Sequence, residues 1–264
     1  MPELPDVEVF KQYVESTALH KKMDAVEIRS KDMLKNVSGR EIKKALEGHQ
    51  FVSADRHGKY LFLKTENTTW LVLHFGMTGF VTYFKDPTKE PAHNRLLIRF
   101  SNGYHLAYDC QRKLGEITLT EDPGLFAEER QLGLDALKPG FNLDRFKHIL
   151  KNTASAVKSA LMNQKYIAGI GNIYSDEILF QAGIHPDTKS KELNDDEIAR
   201  LYNQAESVLK AAIEAHADPS RFPASFIMPH RRGDRTCPKC KGGIEKTKTG
   251  GRSAYYCPRC QERI

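Results

Sequence analysis

Four cysteines constrain this chain more than any other feature: Cys237-x-x-Cys240 and Cys257-x-x-Cys260, with sixteen residues between the pairs. That is zinc-ribbon spacing, in which two Cys-Pro-x-Cys knuckles offer four thiolates to one tetrahedral ion. Four protein ligands leave no open coordination position, so the single Zn2+ is expected to be structural and the chemistry to lie elsewhere. Two disulfides are the alternative. The opening MPELPDVEVF, however, has no basic stretch followed by an apolar one, and nothing else marks an oxidising compartment. Cys110 is left over and suits a core or site-wall thiol better than a ligand.

Charge points to the same end of the chain. From His230 onward there are ten Lys or Arg against three acids, a net +7, whereas the whole chain carries +6, so the preceding residues sum to −1. A basic module of this kind suits a polyanion, although a solvated basic tail has the same composition. With 264 residues and 40% hydrophobic content the chain can bury a real core. Its apolar runs, such as Leu71 to Phe75, fall far short of the roughly 20 residues that span a bilayer. A cytoplasmic protein with no membrane partner is expected.

From Val26 to about Leu119 the pattern is short, alternating and β-rich, and Ser101-Asn102-Gly103 predicts a hairpin turn between two strands. An opening helix over residues 7–19 should pack on this antiparallel sandwich. The stretch from Glu121 to Gly140, with Pro123 and Pro139-Gly140, predicts a loop, after which the periodicity becomes helical. Asn142 can cap one helix, Ser155 to Gln164 predicts a second, and Asn194 with Glu197 predicts a capping box for a helix reaching about Ala217. Its stripe of Ile198, Leu201, Ala205, Val208, Leu209, Ala212 and Ile213 is core. The expected architecture is α+β multidomain: an N-terminal β-sandwich with flanking helices (1–133), a helical domain (134–222) and the zinc ribbon (223–264).

Several residues can carry chemistry. Position 2 is proline, and a small second residue favours removal of Met1 in a bacterial-type cell, leaving Pro2 as a free secondary amine. An α-amine titrates near ~8 against ~10.4 for lysine, so part of it is unprotonated at neutral pH and able to attack a sugar C1′. Glu3 beside it can act as general acid or base on the ring oxygen or on the proton lost in elimination. In Ile167 to Glu177 a glycine-rich turn precedes an amphipathic helix, so free N–H groups near Gly169 and Gly171 could hold a phosphate; a tight helix–helix turn has the same sequence. Taken singly, Lys59 is an ordinary strand lysine and Met77 is plain core.

Taken together, PELPDVE, HGKYLFL, HFGMTG, AGIGNIYSDEILFQAGIHP and the CPKC to CPRCQ ribbon enclosing GGRSAYYC cover essentially the whole chain. In that order they strongly resemble the formamidopyrimidine-DNA glycosylase and endonuclease VIII family. The resemblance implies a β-sandwich, a helix-two-turns-helix module and a zinc finger. It implies base excision repair: a bifunctional glycosylase and abasic-site lyase that cleaves by β,δ-elimination. Pro2 would be the Schiff-base nucleophile and Glu3 the acid/base group. Lys59, a catalytic-site residue, with His74, Asn172 and Arg252 would hold the phosphates around an everted nucleotide. Met77 would be the wedge left in the stack. The partner would be double-stranded DNA with a damaged base or abasic site, met by a monomer acting at the nucleoid.

Two departures bear on the lesion. Where the family commonly shows Asp-Pro-Arg-Arg-Phe-Gly, this chain has Cys110-Gln111-Arg112-Lys113-Leu114-Gly115, so Arg112 is kept but the aromatic wedge becomes Leu114. The connection from Ala217 to Thr236 is shorter than the purine-capping loop usual in formamidopyrimidine-type members, although Leu4 favours that branch over the endonuclease VIII type. Two rivals are a non-enzymatic zinc-dependent damaged-DNA-binding protein and a family member that recognises damage without cutting. Retention of Pro2, Glu3, Lys59 and Arg252 counts against both.

Overall fold

The computed structural model describes residues 1–231 and 236–261. The chain divides into two compact units: Met1–Pro2 with Asp6–Arg130, and Glu3–Pro5 with Gln131–Ile264.

Helix α1 (Leu4–Thr17), which belongs to the first unit from Asp6 onward, precedes two antiparallel four-stranded sheets. Strands β1 (Met23–Ile28), β6 (Asn94–Phe100), β7 (His105–Cys110) and β5 (Gly79–Phe84) form one sheet in that order. Strands β2 (Phe51–His57), β3 (Tyr60–Thr65), β4 (Trp70–His74) and β8 (Glu116–Thr120) form the other. Leu61, Leu63, Leu71 and Leu73 from the second sheet and Val26, Ile98, Leu106 and Tyr108 from the first share one buried core with Val7 and Val14 of α1. The hairpin at residues 101–104 joins β6 to β7 as the Ser-Asn-Gly turn requires, and Asn102 Oδ1 accepts the Tyr104 N–H. Cys110 is a fully buried core thiol.

Two helices interrupt the expected β and loop segments. Helix α2 (Gly39–Leu46) is launched by a capping box between Ser38 and Glu41. Helix α3 (Pro123–Glu129) replaces the loop expected from Pro123, which occupies the first helical turn while the Asp122 carboxylate accepts the Gly124 and Leu125 N–H groups. Phe126 of α3 packs edge-on against Phe62 on the outer face of the second sheet. That packing explains why β3 and β4 are buried on both faces instead of alternating.

The second unit begins with β9 (Leu134–Asp135) and helices α4 (Leu143–Lys151) and α5 (Val157–Met162). It continues through β10 (Ile167–Ala168), α6 (Asn172–Ala182), α7 (Asp195–Glu214) and the hairpin β11 (Glu245–Thr249) and β12 (Arg252–Tyr256). Asn142 caps α4 and the Asn194/Glu197 box caps α7, as the sequence predicts. The α7 stripe is buried against α4, α5 and α6, with Ile213 partly covered at its end. Helix α6 departs from its expected amphipathic character. It is buried from Tyr174 through Phe180, including Asp176 and Glu177, because its acids face partners inside the unit.

Candidate active site and nucleic-acid interface

The first unit presents Lys59, His74, Met77, Arg112 and Leu114. Lys59 follows Gly58 in the two-residue turn between β2 and β3, whose register pairs His57 with Tyr60. His74 ends β4, directly opposite Tyr60, and its ring lies 4.7 Å from the tyrosine ring. Desolvation first, then the charges of Lys59 and Arg130, push the His74 imidazole down to about 4, so it is neutral at physiological pH. Its Nδ1 accepts the Gly76 N–H at 3.4 Å, which leaves the proton on Nε2 as a neutral donor.

Met77 and Leu114 are 40% and 52% exposed, two apolar side chains offered to solvent from neighbouring loops. The loops that bear them are pressed together. Gly76 has φ +57, and a Cβ there would lie 2.4 Å from the Leu114 carbonyl carbon, so only glycine allows the approach. The Arg112 N–H donates to Thr78 Oγ1, fixing the second loop on the first. Met77, Arg112 and Leu114 are thus held at one end of the β5 and β7 pair.

In the second unit, the glycine-rich turn does something other than expected. The N–H groups of Gly171, Ile173 and Tyr174 donate to the fully buried Glu3 carboxylate, at 2.7, 2.8 and 3.2 Å. These donors, expected to be open to a phosphate, are therefore filled by a residue that precedes them by 168 positions or more. A carboxylate here sits at the favourable end of the α6 dipole. A Cβ on Gly171 would lie 2.3 Å from the Glu3 carboxyl carbon, so the cradle requires glycine. Asn172, between the cradle donors, has a buried Oδ1 with no partner.

The four cysteine sulfurs lie within 4.8 Å of one another, with Cys237 and Cys260 3.8 Å apart and Cys240 and Cys257 3.5 Å apart. Tetrahedral Zn–S bonds of about 2.3 Å place sulfurs roughly 3.8 Å apart, so the cluster fits zinc. The Gly242 N–H points at Cys240 Sγ, and Gln261 joins the Cys257 N–H to the Ile184 carbonyl, seating the knuckles on the end of α6. Arg252 is exposed beyond the Gly250-Gly251 turn of the hairpin. Thr249 Oγ1 anchors that tip on Asp187.

Sequence reasoning missed the buried charged groups of α5 and α6. Lys158 is fully buried, with its Nζ 2.5 Å from Asp176 Oδ1. Glu177 Oε2 accepts the Met228 N–H, and Gln181 donates to Glu177 Oε1 and to the Ser225 carbonyl. Little local marks these residues, since apart from Gln181 on Glu177, one turn away, their partners are distant in sequence. Burial pushes the Glu177 carboxyl up to about 7, with Gln181 and the Met228 and Ile227 N–H groups opposing it. In the native protein it binds a proton that the unfolded chain releases above about 4.5, so its stabilising contribution is lost as pH rises through 7. At 1.36 kcal/mol per unit, wild type should lose about 2 kcal/mol relative to Glu177→Gln between pH 5.5 and 8. Urea unfolding of both proteins across that range measures it; a constant difference would refute the assignment.

Three family models match successive parts of the chain. Residues 1–117 match the formamidopyrimidine-DNA glycosylase N-terminal domain, 132–224 the H2TH domain of the same enzyme, and 236–263 the zinc finger found in FPG and IleRS. A formamidopyrimidine-DNA glycosylase from Geobacter metallireducens is 34% identical over 269 residues, covering 99% of this chain and 100% of the relative. The chain belongs to the formamidopyrimidine-DNA glycosylase family. It is accordingly a DNA repair glycosylase with abasic-site lyase activity and a zinc finger. A relative from Pelotomaculum thermopropionicum is 31% identical over 99% of both chains. The Lactococcus lactis enzyme bound to N7-benzyl-Fapy-dG DNA superposes with a TM-score of 0.90 at 26% identity, covering 99% of this chain and 100% of that one. The same enzyme with abasic-site DNA gives 0.88, at 26% identity and the same coverage. No helix among the described residues is long and apolar enough to cross a membrane.

If His74 and Arg252 both contact phosphate, as the sequence leads one to expect, the neutral imidazole sets the two apart in a measurable way. Removing a cationic contact releases fewer counterions, so Arg252→Ala should shallow the log–log salt dependence of duplex binding by about 0.9. His74→Ala should weaken binding and leave that slope unchanged. Equal changes in slope for both variants would show that His74 is charged on DNA.

Proposed function

We propose that this protein excises an oxidised purine and then cleaves the strand through an iminium at Pro2. The unprotonated Pro2 nitrogen attacks C1′, the C1′–N bond breaks, and the base leaves with a proton. Ring opening gives a C1′ iminium. Loss of a C2′ proton expels the 3′ phosphate, a second elimination expels the 5′ phosphate, and water then frees the amine. The observation that carries this reading is the Glu3 carboxylate: buried, held by three N–H groups and joined through one peptide bond to Pro2. Its position is fixed, so it can serve the ring oxygen or the C2′ proton without reorganising. Lys59, His74, Asn172 and Arg252 hold the phosphates in this reading, and Met77, Arg112 and Leu114 fill the gap left by the everted nucleotide.

The short connection before Cys237 supports a lesion preference. Of residues 217–236, positions 232–235 lie outside the described residues. The rest is fastened to α6 at Ser225 and Met228, with Phe226 and Ile227 buried beneath it. Among its described residues most backbone N–H groups are already taken, as at Arg221, Phe226, Met228, His230 and Arg231, so few are left to enclose a purine edge, and a site lacking such groups discriminates poorly. Relatives have been seen with Fapy-dG DNA and with carbocyclic 8-oxo-G DNA. Within that class, this chain should favour abasic sites and formamidopyrimidines that unstack easily, with 8-oxoguanine opposite cytosine a poor substrate. Leu114 should also weaken any demand for a particular opposite base. Single-turnover rates on matched duplexes test this. Excision of 8-oxoguanine opposite cytosine as fast as any other lesion, with strong discrimination against adenine opposite, would overturn it.

A further inference from the structure

Four segments of the second unit meet at the Asp176 carboxylate. Oδ1 accepts Lys158 Nζ of α5, and Oδ2 accepts Arg231, at 3.0 Å from Nε and 2.8 Å from NH2. The Tyr255 N–H of the zinc hairpin faces the same group, and the Arg231 guanidinium lies over the Tyr255 ring, 5.0 Å from its centroid. Both cations then reach past Asp176 to one atom, the main-chain carbonyl of Asn172, at 3.1 Å from Lys158 and 3.4 Å from Arg231. That residue lies one turn earlier on α6, inside the run of N–H groups that cradles Glu3.

The arrangement is a poor way to stabilise a helix. Two cations stand at an N-terminus, where the helix dipole opposes them, and buried ion pairs are often matched or bettered by apolar side chains of similar volume. What it supplies is a fixed location for the Asn172 carbonyl, set from two directions. We infer that Asp176 is a positioning residue for the chemical step: by ordering Lys158 and Arg231 on Asn172, it sets the first turn of α6 and hence the Glu3 carboxylate. The inference rests on the proposed role of Glu3. Displacements of about 1 Å at a reacting group cost on the order of 100-fold in rate, so a partial loss of order should be plainly visible.

The test uses full-length, zinc-loaded protein and duplex with a preformed abasic site. Asp176→Asn keeps the shape and loses the charge, while the double variant Asp176→Leu with Lys158→Met replaces the pair with apolar side chains that suit burial. Val208→Ala, a cavity in the α7 core, controls for general destabilisation. Both Asp176 variants should retain zinc and lose at least about tenfold in single-turnover rate at saturating enzyme, whereas Val208→Ala should keep the wild-type rate. A wild-type rate in either zinc-loaded Asp176 variant overturns the inference. So does loss of zinc in both, because Asp176 would then be supporting the fold and not the site. Wild-type protein that leaves abasic DNA uncut would overturn the proposed function itself, a result distinct from the other two.

Discussion

Pro2→Gly protein is expected to give little or no covalent adduct when borohydride is added to it on abasic DNA, while wild type is trapped readily. The reason is chemical. A secondary amine condenses to an iminium that carries its positive charge permanently, whereas a primary amine gives an imine that is activated only while protonated. Glycine also releases the backbone restraint that proline places on the nitrogen beside Glu3. Loss of at least about 100-fold in trapping, some 2.7 kcal/mol in the barrier, is expected with zinc and duplex affinity unchanged. The amine must be free, so intact mass of active wild-type protein should lack Met1. Undiminished trapping by Pro2→Gly would move the nucleophile to another residue.

How much of this was legible depends on whether the partners lie close in sequence. Asn142 and the Asn194/Glu197 box announce α4 and α7 because a cap and its helix are three residues apart. The Cys-x-x-Cys pairs announce their site because ligand chemistry restricts the spacing. Pro123 misleads because proline serves equally in a loop and in the first turn of a helix, and the Asp122 cap decides between them. The Ser38 and Glu41 box was equally local, but a helix of eight residues between strands gives too short a period to stand out.

Long-range electrostatics was not legible at all. The Gly169 and Gly171 turn has the sequence of a phosphate cradle, and its donors are satisfied by Glu3, which only the fold brings to it. Lys158 has the sequence setting of a surface lysine and is fully buried, because its counter-ion Asp176 lies on another helix. His74 belongs with Lys59 and Arg252 by family pattern, yet desolvation removes its charge. In each instance the residue type was visible and its protonation or partner was not. Those are properties of burial, and burial is non-local.

Cys240→Ser is expected to lose zinc and most duplex affinity together. The segment carrying the four thiolates is too small to hold itself by apolar burial. Its core cluster consists of Phe180, Ile227, Cys237, Ile244 and Cys257, so two of its five buried members are themselves metal ligands. Structural zinc in such modules contributes about 10–16 kcal/mol of apparent binding free energy, far more than those apolar contacts can. Without the metal, the cysteines re-protonate, nothing ties the four sulfurs together and the knuckles open. The β11 and β12 hairpin then keeps anchors such as Thr249 on Asp187 and Tyr255 at Asp176 but loses the metal that fixes its base. Arg252 is displaced, and so is much of the positive charge concentrated in this module. Affinity for undamaged duplex should fall by at least about 100-fold, and chelation of wild-type protein should reproduce the loss, reversed on adding zinc back. Metal analysis that finds wild-type protein zinc-free and fully active, or Cys240→Ser zinc-loaded and tight-binding, would show that the hairpin holds its shape by other means.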